Sequence, residues 1–231
     1  MTWKTTIITL MPEMYPGPLG HSLIGDALEK KLWELSLVNL RDFGIGTHKK
    51  VDDSPYGGGA GMVLKPDVVD AAITHAKMQT PNAQLVHFTP RGEPLNQSIL
   101  RELTATDLIL LCGRYEAVDQ RVIDKHQPRE ISLGDFILTG GDIPAMALIE
   151  GCVRLLPGVV GKEASLGEES FGDGDYANLL EYPHYTKPAE WDGRTVPEVL
   201  LGGHHAHITA WRKAEAEAIT RARRPDLWKK R

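Results

Sequence analysis

The sequence predicts an α/β protein with a mostly parallel central sheet. Short apolar runs alternate with segments of helical apolar spacing through about the first 160 residues, and this alternation is typical of strands joined by crossover helices. Two glycine-containing loops with carboxylates, residues 112–116 and 131–146, each follow such an apolar run. Because ligands bind beyond the carboxyl ends of parallel strands, the two loops predict one site for a polar small molecule.

The individual elements follow from apolar periodicity and from turn residues. Strands are predicted at residues 6–9, 36–40, 85–88, 108–112 and 130–132. Helices are predicted at residues 21–34, 66–78, 97–104 and 117–125, and in a segment that Asp142 caps and that runs through Arg154. Near the end of the chain, helical spacing returns at residues 195–201 and 204–223.

Changes in composition along the chain predict three regions. Residues 1–161 are predicted to form the sheet domain, residues 162–178 a flexible linker, and residues 179–231 a small, mainly α-helical domain.

The two cysteines, Cys112 and Cys152, lie in apolar surroundings and predict buried thiols in a reducing compartment. The apolar run near the N-terminus is too short for a signal peptide or a membrane helix, so we expect a cytoplasmic protein without a membrane partner.

Charge is unevenly distributed along the chain. The net charge of −5 does not by itself indicate nucleic-acid binding. Residues 209–231, however, contain eight basic and three acidic residues, and Trp211 and Trp228 lie among them. A basic helix with aromatic side chains suits a phosphate backbone with exposed bases. A solvated helix face at the end of the chain explains the same pattern, so both interpretations stay open here.

Several motifs have a structural and a functional interpretation. The four glycines of residues 56–62 either let a backbone approach a flat ligand or form a flexible turn, and the loop lacks the Lys-Ser/Thr of a phosphate loop. Glu116 either caps the next helix or contacts a ligand. Arg154 lies in an apolar stretch and needs an ion-pair partner or a ligand. The histidines of residues 204–207 lack further metal ligands, so no metal site is predicted.

The loop at residues 133–144 favours a ligand more clearly. Its glycines flank the apolar residues Phe136, Ile137 and Leu138. Backbone groups in such a loop can hydrogen-bond the edge of a purine while the apolar side chains cover its faces. A surface loop followed by a capped helix is the alternative.

Together these motifs resemble a known family over nearly the whole chain. The bacterial tRNA (guanine-37-N1)-methyltransferases, of the SPOUT or trefoil-knot class, carry this combination. The resemblance implies a parallel sheet with a C-terminal trefoil knot, followed by a helical tRNA-binding domain. It also implies a homodimer with active sites at the subunit interface. The matching segments are residues 9–13 (Thr-Leu-Met-Pro-Glu), 52–62, 113–116 (Gly-Arg-Tyr-Glu), 133–146, 154–158 (Arg-Leu-Leu-Pro-Gly), 181–188 (Glu-Tyr-Pro-His-Tyr-Thr-Lys-Pro) and 196–201.

The same resemblance implies that the ligand is S-adenosylmethionine and that its methyl group goes to N1 of guanosine 37 in tRNA. Residues expected to contact the tRNA are Gly58 and Gly59 in the glycine loop, and Arg212 and Lys213 in the basic helix. Magnesium dependence is a further trait of the family, although the sequence contains no dedicated metal cage. The cofactor-binding residues carried over from the family are Phe88, Thr89, Pro90, Gly113, Tyr115, Glu116, Leu133, Gly134, Phe136, Leu138, Gly140, Gly141 and Pro144.

Such a reaction needs a base and a cation. The guanine nitrogen carries a proton, so a carboxylate must remove it while a cation stabilises the charge that develops on the guanine oxygen. Arg154 matches the cation of the family. The base of the family is usually Asp, but the equivalent position here is Glu169, before Ser170 and Phe171. Its longer side chain keeps the same chemistry, and Asp173 is the second candidate for the base.

Two other functions are consistent with part of the pattern. A non-catalytic RNA-binding or ribosome-assembly factor would use the basic tail equally well. A ribose 2′-O-methyltransferase of the same class would use the same cofactor, although the glycine loop and the C-terminal domain resemble those of the guanine-specific family. Cofactor binding and the position of the methylated atom separate these alternatives.

Overall fold

The computed structural model describes residues 2–161, 167–172 and 174–230. Within it, the chain divides into two compact units, Met1–Val160 and Gly161–Arg231. The first unit contains the predicted sheet, and the second contains the basic helix.

A five-stranded parallel sheet forms the centre of the first unit, in the order β2-β1-β6-β5-β8. The predicted α/β class with a parallel central sheet is thereby confirmed. A smaller sheet combines β3, β4 and β7. The strands are β1 (Trp3–Thr9), β2 (Trp33–Asn39), β3 (Asp52–Asp53), β4 (Val63–Leu64), β5 (Gln84–Pro94), β6 (Leu108–Leu111), β7 (Ala117–Val118) and β8 (Arg129–Ser132).

Both faces of the large sheet are buried. Ile7 and Ile8 are adjacent in β1 and fully buried, yet they belong to two different apolar clusters, because successive side chains of a strand point to opposite faces. The first cluster includes residues of α1, α3 and α5, and the second includes residues of α2 and α4. Burial on both faces explains why the strands read as continuous apolar runs. These helices are α1 (Ser22–Glu29), α2 (Pro66–Gln79), α3 (Gln97–Leu103), α4 (Gln120–His126) and α5 (Asp142–Val153).

Two predicted helices have different bounds in the structure. The helix predicted through Glu34 ends at Glu29, because the chain turns at Lys31 (φ +57°) and enters β2 at the buried Trp33. The helix predicted from Ala117 begins at Gln120, where the Asp119 carboxylate accepts a hydrogen bond from the Arg121 N–H at 2.9 Å. In both places apolar residues of a strand had extended the apparent helical spacing.

The second unit is smaller and has its own core of Tyr176, Leu179, Tyr182 and Ala216, against which Trp228 packs. The helix predicted from Thr195 begins only at Glu198, since Arg194–Thr195 pairs with Glu190–Trp191 in an antiparallel hairpin. No helix among the described residues is both long enough and apolar enough to cross a bilayer. The elements are β9 (Glu190–Trp191), β10 (Arg194–Thr195), α6 (Glu198–Leu201), α7 (His205–Arg223) and α8 (Pro225–Trp228).

Candidate active site

A cavity of about 1410 Å³ opens at the carboxyl ends of β6 and β8 and beside the middle of β5, at residues 87–91. Its volume exceeds the ~300–1,000 Å³ that is usual for one small ligand, so it is large enough for a small-molecule cofactor. The thirteen residues predicted to bind the cofactor come from three separate segments of the chain, and all of them line this one cavity: Phe88, Thr89, Pro90, Gly113, Tyr115, Glu116, Leu133, Gly134, Phe136, Leu138, Gly140, Gly141 and Pro144.

The loops after β6 and β8 are in direct contact. The Gly141 N–H donates to the Gly113 carbonyl at 2.9 Å, and Arg114 forms an isolated antiparallel bridge with Gly140. A Cβ atom on Gly141 would lie 2.8 Å from the Cα of Cys112. Only glycine therefore allows this close approach, which holds the two loops together around the cavity.

Apolar side chains are exposed at the wall of the cavity. Ile137 is 78% exposed, and Phe136 and Leu138 are also exposed although they are large and apolar. Exposed apolar surface of this kind at a cavity wall suits a flat heterocycle, because the side chains can cover its faces. Tyr115 lies nearby with a left-handed backbone (φ +63°) and is also exposed.

A buried carboxylate ties the cavity loops to β1. Asp142 is 1% exposed, and its Oδ1 accepts from the Thr9 hydroxyl at 2.6 Å and the Tyr15 hydroxyl at 3.2 Å. Its Oδ2 accepts from Nε and Nη2 of Arg114 at 3.1 and 2.9 Å. Four hydrogen bonds from three chain segments thus converge on one side chain, and such a network fixes the relative position of those segments.

This network corrects the predicted role of Asp142. The N-cap of α5 is Gly141, and Asp142 occupies the first helical turn with its carboxylate turned to Arg114, Thr9 and Tyr15. Burial raises the pKa of the Tyr15 phenol far above its ordinary value, and the neighbouring Cys112 and Asp142 add to the shift. The phenol therefore stays protonated and donates. In the sequence, the only indication of the ion pair between Arg114 and Asp142 is that Arg114 belongs to the motif of residues 113–116.

His87 is a cavity residue that the sequence analysis missed. It is 6% exposed, and its Nδ1 lies 3.3 Å from the Leu111 carbonyl oxygen. Burial lowers its pKa from the ordinary value of 6.5, so the ring is neutral and its Nδ1–H donates to that carbonyl. In the sequence, the only indication that His87 belongs to the site is its position directly before Phe88.

The glycine loop at residues 56–62 borders the cavity through Tyr56, which is fully exposed. Gly58 and Gly59, the predicted tRNA contacts, lie beyond the cavity wall with φ of 79° and 120°. Gly61 rests on Glu116, since an added Cβ would collide with that side chain. Glu116 does not cap a helix, because the strand β7 follows it directly. Its N–H donates to the Met62 carbonyl at 3.0 Å. The capping interpretation of Glu116 is therefore wrong.

The predicted catalytic residues belong to different parts of the chain. Arg154 follows the last residue of α5 in the first unit, is partly exposed, and its N–H donates to the Glu150 carbonyl at 3.1 Å. Glu169 belongs to the second unit, where its carbonyl accepts from the Gly172 N–H at 2.8 Å. Asp173 lies outside the described residues.

The predicted tRNA contacts of the second unit lie on α7. Lys213 pairs with Asp175 at 2.9 Å, and Arg212 lies 3.6 Å from a carboxylate oxygen of Glu168. In the described part of the chain, no three His, Cys, Asp or Glu side chains are grouped so that they could hold a metal ion. The rings of His204 and His207 lie 5.5 Å apart and belong to the start of α7.

Comparisons with known proteins identify the family of this chain. A model of the family described as tRNA (Guanine-1)-methyltransferase TrmD matches residues 3–230. A tRNA (guanine-N(1)-)-methyltransferase of Rhodospirillum rubrum is 57% identical over 99% of this chain and 93% of its own length. Proteins with the same description from Ruegeria pomeroyi (54%; 99% and 93%) and Novosphingobium aromaticivorans (52%; 100% and 92%) are similar over comparable shares. The chain therefore belongs to the tRNA (guanine-1)-methyltransferase family.

Proposed function

We propose that this protein transfers a methyl group from S-adenosylmethionine to N1 of guanosine 37 in tRNA, next to the anticodon. The observation that carries the proposal is the single cavity in which all thirteen predicted cofactor-binding residues meet, in a chain that matches the family over residues 3–230. S-adenosylmethionine supplies an activated sulfonium methyl group. The protein must therefore align the acceptor and make it nucleophilic.

Two side chains outside the cavity loops prepare the guanine. The carboxylate of Glu169 takes the proton from N1, whose electron pair then bonds to the methyl carbon as the bond from that carbon to sulfur breaks and S-adenosylhomocysteine leaves. Arg154 stabilises the negative charge that shifts to the guanine oxygen as the proton leaves. Asp173 is the second candidate for the base. Magnesium dependence stays an expectation from the family resemblance.

The cavity residues hold and orient the donor. The apolar surface of Phe136 and Leu138 would cover the faces of the adenine ring, and backbone groups of the loops at Gly113 and Gly140 would meet its polar edge. The network around Asp142 keeps these loops in place before the ligand arrives, so less conformational entropy is lost on binding.

We further propose that the loop after β8 completes a trefoil knot. Its support is the sheet order: β8 pairs with β5, yet the loop after β8 returns to contact Gly113 and Arg114 after β6. Residues 179–231 form the tRNA-binding domain, with Arg212 and Lys213 on α7 as contacts and Gly58 and Gly59 approaching the same substrate. The protein works in the cytoplasm as a homodimer whose active sites lie at the subunit interface.

The test is a methyl-transfer assay on an unmodified tRNA transcript with guanosine 37, followed by mass-spectrometric mapping of the methylated atom. We expect one methyl group at N1 of guanosine 37 and none on a transcript with adenosine 37. Methylation of a ribose 2′ oxygen would instead indicate a 2′-O-methyltransferase. Binding of tRNA without any transfer, under conditions where S-adenosylmethionine binds, would indicate a non-catalytic RNA-binding factor.

A further inference from the structure

We propose that Glu168, Tyr182 and Arg212 form a clamp that positions the segment carrying the catalytic base. Glu168 directly precedes Glu169, so whatever holds Glu168 also restricts the backbone of Glu169. In this proposal Glu168 and Tyr182 are positioning residues that act through Glu169 and do not touch the substrate, while Arg212, also proposed as a tRNA contact, supports them. The inference rests on the proposed function, in which Glu169 takes the proton from guanine.

The three side chains contact one another in pairs. The Tyr182 hydroxyl donates to Oε2 of Glu168 at 3.3 Å, and Nη1 of Arg212 lies 3.6 Å from the same oxygen. The guanidinium carbon of Arg212 lies 4.8 Å from the centre of the Tyr182 ring, within the range of a cation–π contact. One carboxylate oxygen of Glu168 thus accepts a hydrogen bond from Tyr182 and forms an ion pair with Arg212, and these two side chains also contact each other.

Tyr182 gives the clamp a rigid base. It is 8% exposed and belongs to the small core of the second unit, where its ring meets that of Tyr176 edge-on at 6.4 Å. Burial raises the pKa of Tyr182, so the hydroxyl keeps its proton and remains a donor over the working pH range. Arg212 extends from α7, and its Nε is buried, so the guanidinium is turned inward against the ring.

Backbone and hydroxyl contacts hold the other side of the same segment. The Ser170 hydroxyl accepts from the Glu181 N–H at 2.9 Å, and the Phe171 N–H donates to the Leu179 carbonyl at 2.8 Å. Phe171 has a left-handed backbone (φ +61°), which an aromatic residue adopts only when its surroundings impose it. Glu169 therefore lies between two anchored neighbours, Glu168 before it and Ser170 after it.

In this arrangement the two adjacent glutamates have different roles. The Glu168 carboxylate is occupied by a phenol and a guanidinium, so it serves as an anchor. Glu169 is the neighbouring glutamate that the proposed function assigns as the base. Catalytic groups lose rate steeply when their geometry loosens, because alignment supplies a large part of the rate enhancement. A loosened clamp should therefore slow the chemical step without weakening the binding of either substrate.

The variant Tyr182→Phe removes only the hydroxyl that donates to Glu168. We expect the single-turnover rate constant to fall roughly three- to tenfold, the effect of one hydrogen bond to a partly exposed charged group, while the dissociation constants for tRNA and S-adenosylmethionine stay unchanged. Tyr176→Phe is the matched control, since Tyr176 is equally buried in the same core and its hydroxyl has no hydrogen-bond partner among the described residues. This control should keep the wild-type rate.

A second set of variants separates anchoring from folding. Glu168→Gln retains an oxygen that can accept from Tyr182 and should keep more activity than Glu168→Ala. Adding Tyr182→Phe to Glu168→Ala should cause no further loss, because both changes break the same contact. Additive losses, or a Tyr182→Phe rate equal to that of wild type, would overturn the clamp.

The same assays distinguish failure of the clamp from failure of the function. If the wild-type protein methylates no guanosine 37, the proposed function fails. If Glu168→Gln is inactive while Glu169→Gln keeps the wild-type rate, Glu168 is the base, and both the base assignment and the clamp are wrong. If Glu169→Gln is inactive and Tyr182→Phe behaves like Tyr176→Phe, only the clamp is wrong.

Discussion

The cavity loops of the first unit and the Glu169 segment of the second are held by different kinds of contact. Asp142, which organises the loops, is 1% exposed and accepts four hydrogen bonds. Glu168, which holds the Glu169 segment, and its partner Arg212 have side chains that are 49% and 39% exposed. Buried ionic groups cost much stability when they lose a partner, whereas exposed pairs contribute little. Changes in the loops should therefore affect folding and cofactor binding, and changes in the segment should affect turnover.

The largest effect should follow Asp142→Ala. The substitution leaves the Arg114 guanidinium, whose side chain is 18% exposed, without its carboxylate, and breaking a buried pair in this way costs about 3–5 kcal/mol. Denaturant unfolding should show this loss in the free energy of unfolding. Arg121→Ala is the control in the same unit, because it breaks an Arg–Asp pair of similar length (2.8 Å) whose arginine is 69% exposed. Equal losses for the two variants would contradict the comparison.

An intermediate effect should follow Gly141→Ala. The added Cβ would lie 2.8 Å from the Cα of Cys112, so the loops must separate at a cost of roughly 1–3 kcal/mol. We expect weaker binding of S-adenosylmethionine by isothermal titration calorimetry. Gly161→Ala is the control, since a Cβ there meets no atom of the described residues within 4 Å. Unchanged affinity in Gly141→Ala would show that the contact between the loops does not shape the cofactor site.

The smallest effect concerns pH and His87. Because burial lowers the pKa of His87 below its ordinary 6.5, the unfolded chain binds a proton below about pH 6.5 that the folded chain does not bind. The contribution of His87 to the free energy of unfolding should thus be constant above that pH and fall below it, by at most about 1.4 kcal/mol per pH unit. Unfolding free energies between pH 8 and pH 5 should show a smaller decline in His87→Gln than in wild type. Parallel pH curves would contradict the neutral assignment.

The sequence predicts the framework of the first unit well and the polar contacts poorly. Residues such as Ile8 and Leu111 lie in apolar runs bounded by turn residues, so their burial follows from composition and spacing. Residues of the cavity wall, such as Phe136 and Gly140, were identified from the family resemblance, because periodicity says little about loops. The bounds of α1 and α4 were wrong where strand residues continued a helical spacing.

Long-range polar pairs have no local signature. Asp142 and Arg114 are 28 positions apart, and Tyr182 and Glu168 are 14 positions apart. A carboxylate before an apolar helix looks the same in sequence whether it caps the helix or enters a buried ion pair. Only the three-dimensional fold decides between these roles, and for Asp142 it favours the ion pair.

The most direct test of the division between the two regions is to measure cofactor affinity and single-turnover rate in Glu169→Gln and in Gly141→Ala. We predict that Glu169→Gln binds S-adenosylmethionine as tightly as wild type but methylates guanosine 37 at least ~100-fold more slowly, the usual contribution of a general base. Gly141→Ala should bind the cofactor more weakly and approach the wild-type rate at saturation. A wild-type rate in Glu169→Gln, together with an inactive Asp173→Asn, would contradict the account.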